Sequence, residues 1–251
     1  MRALGRWKTL SFCFALAWPV FAASPALVVD RGLARANLNT AAGDYRSNVR
    51  WSLYDSGFLG DDFSVGAAGE SWVIDTIRVW TVPGAASTDP EHLGDFYHDV
   101  RLYFGADRDG LTPVMTAQLK AGSDVPSNPN VLISDLTKSG AGAYEDFGAS
   151  VHVWQIDFRG LNLQVEGGAK YSFGAFGLGR SIPDKAGKTY AWFNAASNAE
   201  FSAAKQDGAD GQMLLFTSGG KFKSAFDGKG AGWDKSSDID VQVFAHRVDA
   251  Q

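Results

Sequence analysis

From Asp44 onward the chain alternates with a period of two. Short runs of β-branched and aromatic residues are separated by clusters of Gly, Asp, Asn, Ser and Pro. A two-residue period sends successive side chains to opposite faces, which is the pattern of a strand and not of a helix. The clearest runs are Val49-Trp51-Leu53, Trp72 to Val82, Val100-Leu102-Phe104, Val114 to Leu119 and Val151 to Phe158. They continue with Leu161-Leu163-Val165, Tyr171 to Phe176, Tyr190 to Phe193, Met213 to Phe216 and Ile239-Val241-Val243. About ten or eleven strands joined by turn residues predict an all-β sandwich or barrel. In Asp238-Ile239-Asp240-Val241-Gln242-Val243 the apolar residues share one side, as expected of antiparallel sheets with one buried and one wet face. The alanine-rich stretch Asn194 to Lys205 reads as a loop with one helical turn.

No Pro-rich or Ser-rich linker, charge block or fixed-period repeat divides the chain, so residues 24–251 read as a single β-sandwich domain. Residues 121–130 read as a long sandwich loop, with a boundary between two half-domains as the alternative.

Residues 1–23 read as a secretory signal peptide. Arg2, Arg6 and Lys8 form a positive region, Leu10 to Phe21 an apolar one, and Val20-Phe21-Ala22 a small-residue cleavage context. The apolar stretch is too short to cross a bilayer. Removing the three basic residues leaves 20 of the 23 Lys+Arg against 28 Asp+Glu, a net charge of −8 in place of −5. An acidic chain of this kind repels phosphate backbones and anionic headgroups, which argues against nucleic-acid partners. The single cysteine, Cys13, falls inside the signal. The expectation is a soluble protein, secreted or periplasmic, with no membrane span and no thiol chemistry.

Four runs carry a resemblance. Asp61-Asp62-Phe63-Ser64-Val65, Trp72-Val73-Ile74-Asp75-Thr76-Ile77-Arg78-Val79-Trp80 and Val100-Arg101-Leu102-Tyr103-Phe104 look like the opening of secreted bacterial jelly-roll modules, and Tyr171-Ser172-Phe173-Gly174 is similar to their second half. The resemblance covers most of residues 48–246 and implies an antiparallel β-sandwich of jelly-roll type. Such modules occur as carbohydrate-binding-like or anchor-associated domains. The ending Val248-Asp249-Ala250-Gln251 lacks the apolar tail of the anchored kind.

An indole offers a flat apolar face for a sugar ring and a polar N–H, so the tryptophans are the first candidates for ligand contact. Alternation assigns Trp51 and Trp154 to the core. Trp80 shares a mixed face with Thr76, Arg78 and Val82 and is expected to be partly exposed. Trp192 precedes Asn194 and Asn198, which are suited to bonding hydroxyls. Trp233 sits among glycines, in Asp227-Gly228-Lys229-Gly230-Ala231-Gly232-Trp233-Asp234, with few strand neighbours to bury it.

Two acidic loops are candidate structural Ca²⁺ sites. Asp107-Arg108-Asp109-Gly110 sets two carboxylates in a tight turn, and Asp227, Asp234 and Asp238 surround a glycine-rich segment; carboxylate oxygens are the ligands calcium prefers. The competing reading is an Asp-Gly hairpin turn for the first and a solvated loop for the second. His92, His98, His152 and His246 lack zinc-ligand spacing, although His92 and His98 with Asp95 or Asp99 form a conceivable cluster. No nucleophile elbow or phosphate-binding glycine motif is present.

The leading expectation is a non-catalytic exported module that binds an extracellular glycan or other small ligand. The alternatives are a secreted polysaccharide hydrolase or lyase and an extracellular structural protein. The hydrolase would use a carboxylate pair drawn from Asp62, Glu70, Asp75, Glu145 and Asp146, or a set such as Arg78, Arg101, Tyr103 and His152.

Overall fold

The structure is a computed structural model. It describes residues 24–32, 57–83, 90–106, 108, 110–137, 152–183, 185–196, 210–225 and 238–248, and the backbone alone at 45–50, 144–146, 149–151, 197–198, 226 and 237.

Seventeen strands and one four-residue helix follow one another along the described chain. The first group is β1 (Ala26–Asp30), β2 (Tyr45–Arg50), β3 (Phe58–Ser64) and β4 (Ser71–Thr81), then helix α1 (Leu93–Phe96). Next come β5 (Asp99–Gly105), β6 (Thr112–Gln118), β7 (Val131–Asp135), β8 (Tyr144–Asp146), β9 (Ala149–Val151) and β10 (Trp154–Phe158). The last are β11 (Leu163–Glu166), β12 (Lys170–Phe176), β13 (Phe193–Asn198), β14 (Met213–Phe216), β15 (Phe222–Phe226), β16 (Ser237–Ile239) and β17 (Val241–Val248).

Two antiparallel sheets hold nearly all of them. One has nine strands, in the order β1, β17, β4, β10, β7, with β11 beside β4 and β13 linking β4 to β2 and β16. The other has six, in the order β15, β14, β3, β12, β5, β6. The pairs β5 with β12 and β7 with β10 are nested in opposite sheets, so the chain winds between sheets in the jelly-roll manner. Both sheets mix strands from before and after residues 121–130, which run as a loop between β6 and β7.

The strands outnumber the expected ten or eleven because three- to five-residue segments carry too little alternation to register. The run from Val151 to Phe158 is broken by His152 and Val153 into β9 and β10. Asn194 to Asn198, expected as a loop with a helical turn, is strand. Ala195 and Ala196 are fully buried there, and pairing with β2 and β16 overrides the weak helical preference of alanine.

The main core lies between the sheets. Ile77, Val79, Ile156, Phe158, Val241 and Val243 face Leu59, Phe63, Leu102, Phe104 and Phe173 across it. One inward position of β3 is charged. Asp61, between Leu59 and Phe63, is 1% exposed, and Arg31, just past β1, is 0% exposed. Arg31 Nη1 lies 3.4 Å from Asp61 Oδ1, and its Nη2 donates to the Asp62 carbonyl. Asp61 Oδ2 accepts the Ile239 N–H at 2.6 Å, which joins β3 of one sheet to β16 of the other. Asp238 is also buried, and its Oδ1 accepts the N–H groups of Asp210 and Gly211.

Removing one partner of a buried pair leaves an uncompensated charge. Arg31→Met is expected to lower stability by about 3–5 kcal/mol, and the double substitution Arg31→Met with Asp61→Leu to recover much of that loss. Urea unfolding of the three proteins checks it, and a double variant no more stable than the single one contradicts it. Burial, opposed by Arg31, holds the Asp61 and Asp238 carboxyls above the usual aspartate range. Each therefore binds its proton more readily in the folded state. That contribution is complete below the ordinary value of about 3.9 and is lost as pH rises through the raised values. Asp238→Asn, which keeps the Oδ1 acceptor, should flatten the fall in stability above about pH 4, as read from melting temperature against pH.

Candidate functional site

A groove of about 760 Å³ opens at one end of the sandwich, where the beginnings of β4 and β12 meet the ends of β11 and β17. That volume lies within the usual range of ligand clefts, about 300–1,000 Å³. Trp72 and Tyr171 supply its aromatic lining, and Gln164, Glu166 and Lys170 its polar lining.

Trp72 is fixed by the turn that precedes its strand. The Glu70 carboxylate accepts the Ala67 N–H at 2.8 Å and the Trp72 indole N–H at 3.1 Å through Oε2, while Oε1 accepts from Arg247 Nη1 at 2.8 Å. The Ala67 amide first, and then the indole, hold the Glu70 carboxyl below the usual glutamate range. Gly66 makes this packing possible. Its φ is +62°, and a Cβ there would lie 2.1 Å from Trp72 Nε1. The ring is half-buried, resting on the margin of the core and contributing to the groove wall.

The groove's polar groups are mostly uncommitted. The Tyr171 hydroxyl accepts the Glu166 N–H at 2.8 Å, which leaves its own proton to donate. Its ring stacks on Phe104, with centroids 5.5 Å apart and planes 6° from parallel. Gln164 and Glu166 share the exposed side of β11. Their side chains make no hydrogen bonds among the described residues. Lys170 is different, because its ammonium meets Asp62 Oδ1 at 3.2 Å and Asp210 Oδ2 at 3.5 Å.

The candidates singled out from sequence fall elsewhere. Trp80, expected to be partly exposed, is 1% exposed, since Val82, Val153 and Ala195 form a second small core over that face of the nine-stranded sheet. Trp192 is 5% exposed and donates its N–H to Asn194 Oδ1 at 2.9 Å, so this Trp–Asn pair is an internal brace with no ring face open to a ligand. Asp238 is committed to the turn at Asp210 and Gly211. Trp233, Asp107, Asp109, Asp227 and Asp234, and the side chain of Asn198, lie outside the described residues. Among the described residues no group of three or more His, Cys, Asp or Glu side chains is arranged to hold a metal.

The conceivable catalytic sets also come apart. Arg78 binds Asp157 through Nε and Nη2 on the nine-stranded sheet, whereas Arg101 and Tyr103 lie on the six-stranded one, and His152 pairs with Asp135. His92 meets Asp124, while Asp95 accepts from Gly122 and Asp99 from Arg101. Asp62 is held by Arg108 and Lys170 and Glu70 by Trp72 and Arg247, while the side chains of Glu145 and Asp146 lie outside the described residues.

Gly66→Ala would set a side chain at a positive φ and against the indole. We expect a loss of about 1–3 kcal/mol in stability together with a shift in tryptophan emission as Trp72 leaves its seat. An unchanged spectrum would contradict this account of the clamp.

The chain matches no known family model, no curated protein and no solved structure.

Proposed function

We propose that this protein is an exported, non-catalytic β-sandwich that binds an extracellular carbohydrate in the groove at the end of the sandwich. The observation that carries the reading is Trp72, clamped through its N–H and lining one groove with Tyr171, Gln164 and Glu166. A sugar ring presents C–H faces that pack on an indole and hydroxyls that need donors and acceptors at its edge, and this inventory supplies both. Because the clamp fixes the indole before binding, little side-chain entropy is lost on association.

The lining also bears on which sugars fit. With the Lys170 ammonium engaged by Asp62 and Asp210, Glu166 is the uncompensated charge among the described lining residues. That favours neutral glycans over uronates, whose carboxylates would be repelled. Secretion or export to a periplasm accords with the positive, apolar and small-residue order of residues 1–23.

The test is a glycan array probed with the purified protein and with Trp72→Ala and Gln164→Ala, with the same glycans assayed for new reducing ends. Binding of neutral glycans without cleavage, weakened at least about tenfold by Trp72→Ala, is the expected result. New reducing ends would replace this reading with a hydrolase, and binding indifferent to Trp72→Ala would remove the groove from it. The array is repeated with calcium and with a chelator. Loss of binding in chelator would assign a structural calcium to the acidic loops around Asp107 and Asp109 or around Asp227 and Asp234.

A further inference from the structure

The six-stranded sheet is apolar on both faces. Its inner face belongs to the main core, but its outer face carries a second cluster built on Phe58, Tyr103, Leu111, Leu214 and Phe216. The Phe58 ring packs over a glycine of the neighbouring strand β12. A Cβ on Gly174 would approach the Phe58 ring to 2.4 Å. Phe58 and Tyr103 have their centroids 4.4 Å apart, and Phe58 and Phe176 6.4 Å.

At the edge of this cluster is a pocket of about 130 Å³, separate from the groove. Phe58, Tyr103, Phe176 and Leu178 line it, with Arg101 and Ser218 as its polar members. Its size is close to that of a buried cavity of roughly 150 Å³ known to hold a single benzene ring. Arg101 and Tyr103 lie two residues apart on β5 and so share its outer face. Asp99 Oδ2 accepts from Arg101 Nε at 3.1 Å and Nη2 at 2.6 Å, which fixes the guanidinium and leaves Nη1 without a hydrogen-bond partner among the described residues. The Tyr103 hydroxyl makes a long contact, 3.5 Å, to the Ser218 carbonyl and also interacts with the neighbouring Arg101 guanidinium.

We propose that this pocket binds a small aromatic carboxylate, its ring among Phe58, Tyr103 and Phe176 and its carboxylate on Arg101 Nη1 and the Tyr103 hydroxyl. Three aromatic walls select a flat ring. Asp99 holds one edge of the Arg101 guanidinium, and the other edge, at Nη1 beside the Tyr103 phenol, offers a charged donor to a carboxylate. Arg101 and Tyr103 are the titratable side chains among the lining residues, and the Asp99 carboxylate stands outside the lining, on the other edge of Arg101.

The proposal is independent of the glycan reading, and the probes are benzoate and its neutral isostere benzamide. Calorimetry and saturation-transfer NMR on the whole protein are expected to show benzoate bound about tenfold more tightly than benzamide, the difference expected of a charged hydrogen bond. Arg101→Gln should abolish that preference while leaving benzamide binding intact, and Trp72→Ala should change neither. The proposal is overturned if benzoate fails to bind at millimolar concentration, if the wild-type protein binds both probes equally, or if Arg101→Gln keeps the preference. The comparison of two probes on the wild-type protein decides the question even if the variant does not fold.

Discussion

The sandwich closes around a buried ion pair. Arg31 and Asp61 meet with almost no access to water, and Asp61 also takes the amide of Ile239 from the opposite sheet. Desolvating two ions is expensive, and their mutual attraction repays it only if the remaining polar atoms are satisfied. On the Asp61 side both carboxylate oxygens accept backbone amides, those of Asp62 and Ile239, and on the Arg31 side Nη2 donates to the Asp62 carbonyl. A hydrophobic pair of similar volume would tolerate several registers. Three directional contacts converging on one side chain tolerate one, and they set where β1, β3 and β16 sit relative to each other. Arg31 N–H bonds Val241 O, so the same contact seats β1 on β17, whose far end at Val248 lines the groove.

The two outer faces solve the problem of exposure differently. Across the nine-stranded sheet, Asp30, Gln242, Arg78 and Asp157 stand opposite one another on β1, β17, β4 and β10. They are joined by Gln242 to Asp30 at 3.0 Å, Arg78 to Gln242 at 3.1 Å and the two Arg78 to Asp157 bonds. Such a row leaves each polar group paired and presents water with a saturated surface. The six-stranded sheet instead stacks rings on its outer face and covers most of them with Leu111, Phe222 and Ala225. A pocket arises at the margin of that cover, where Arg101 and Ser218 border the rings.

Alternation made the strands and the faces legible, because a period of two follows directly from the pleat. It assigned Trp154 to the core, where it is, and Trp80 to the face shared with Arg78. It could not disclose that this second face is itself roofed at one end. Val153 is in no strand and Ala195 comes from a segment that reads as helix-prone, so the roof over Trp80 is assembled from residues more than seventy positions away. Trp192 and Asn194 were legible as neighbours, and they do bond. The same two-residue spacing serves an internal brace as readily as a ligand platform. Burial alone separates the two, and burial depends on long-range packing.

Trp72 escaped notice for a related reason. It is the second residue of β4, at a strand end where alternation assigns a side but says nothing about what lies beyond the last pair of strands. The local chemistry was nevertheless present in the chain. A glycine, two alanines and a second glycine lead into Glu70, and an acid two residues before a tryptophan can reach the indole N–H only if the intervening turn folds back. Gly66 at positive φ permits that return, and the Ala67 amide rewards it by bonding the same carboxylate oxygen. The turn therefore spends its one acidic side chain on orienting the indole at the groove wall.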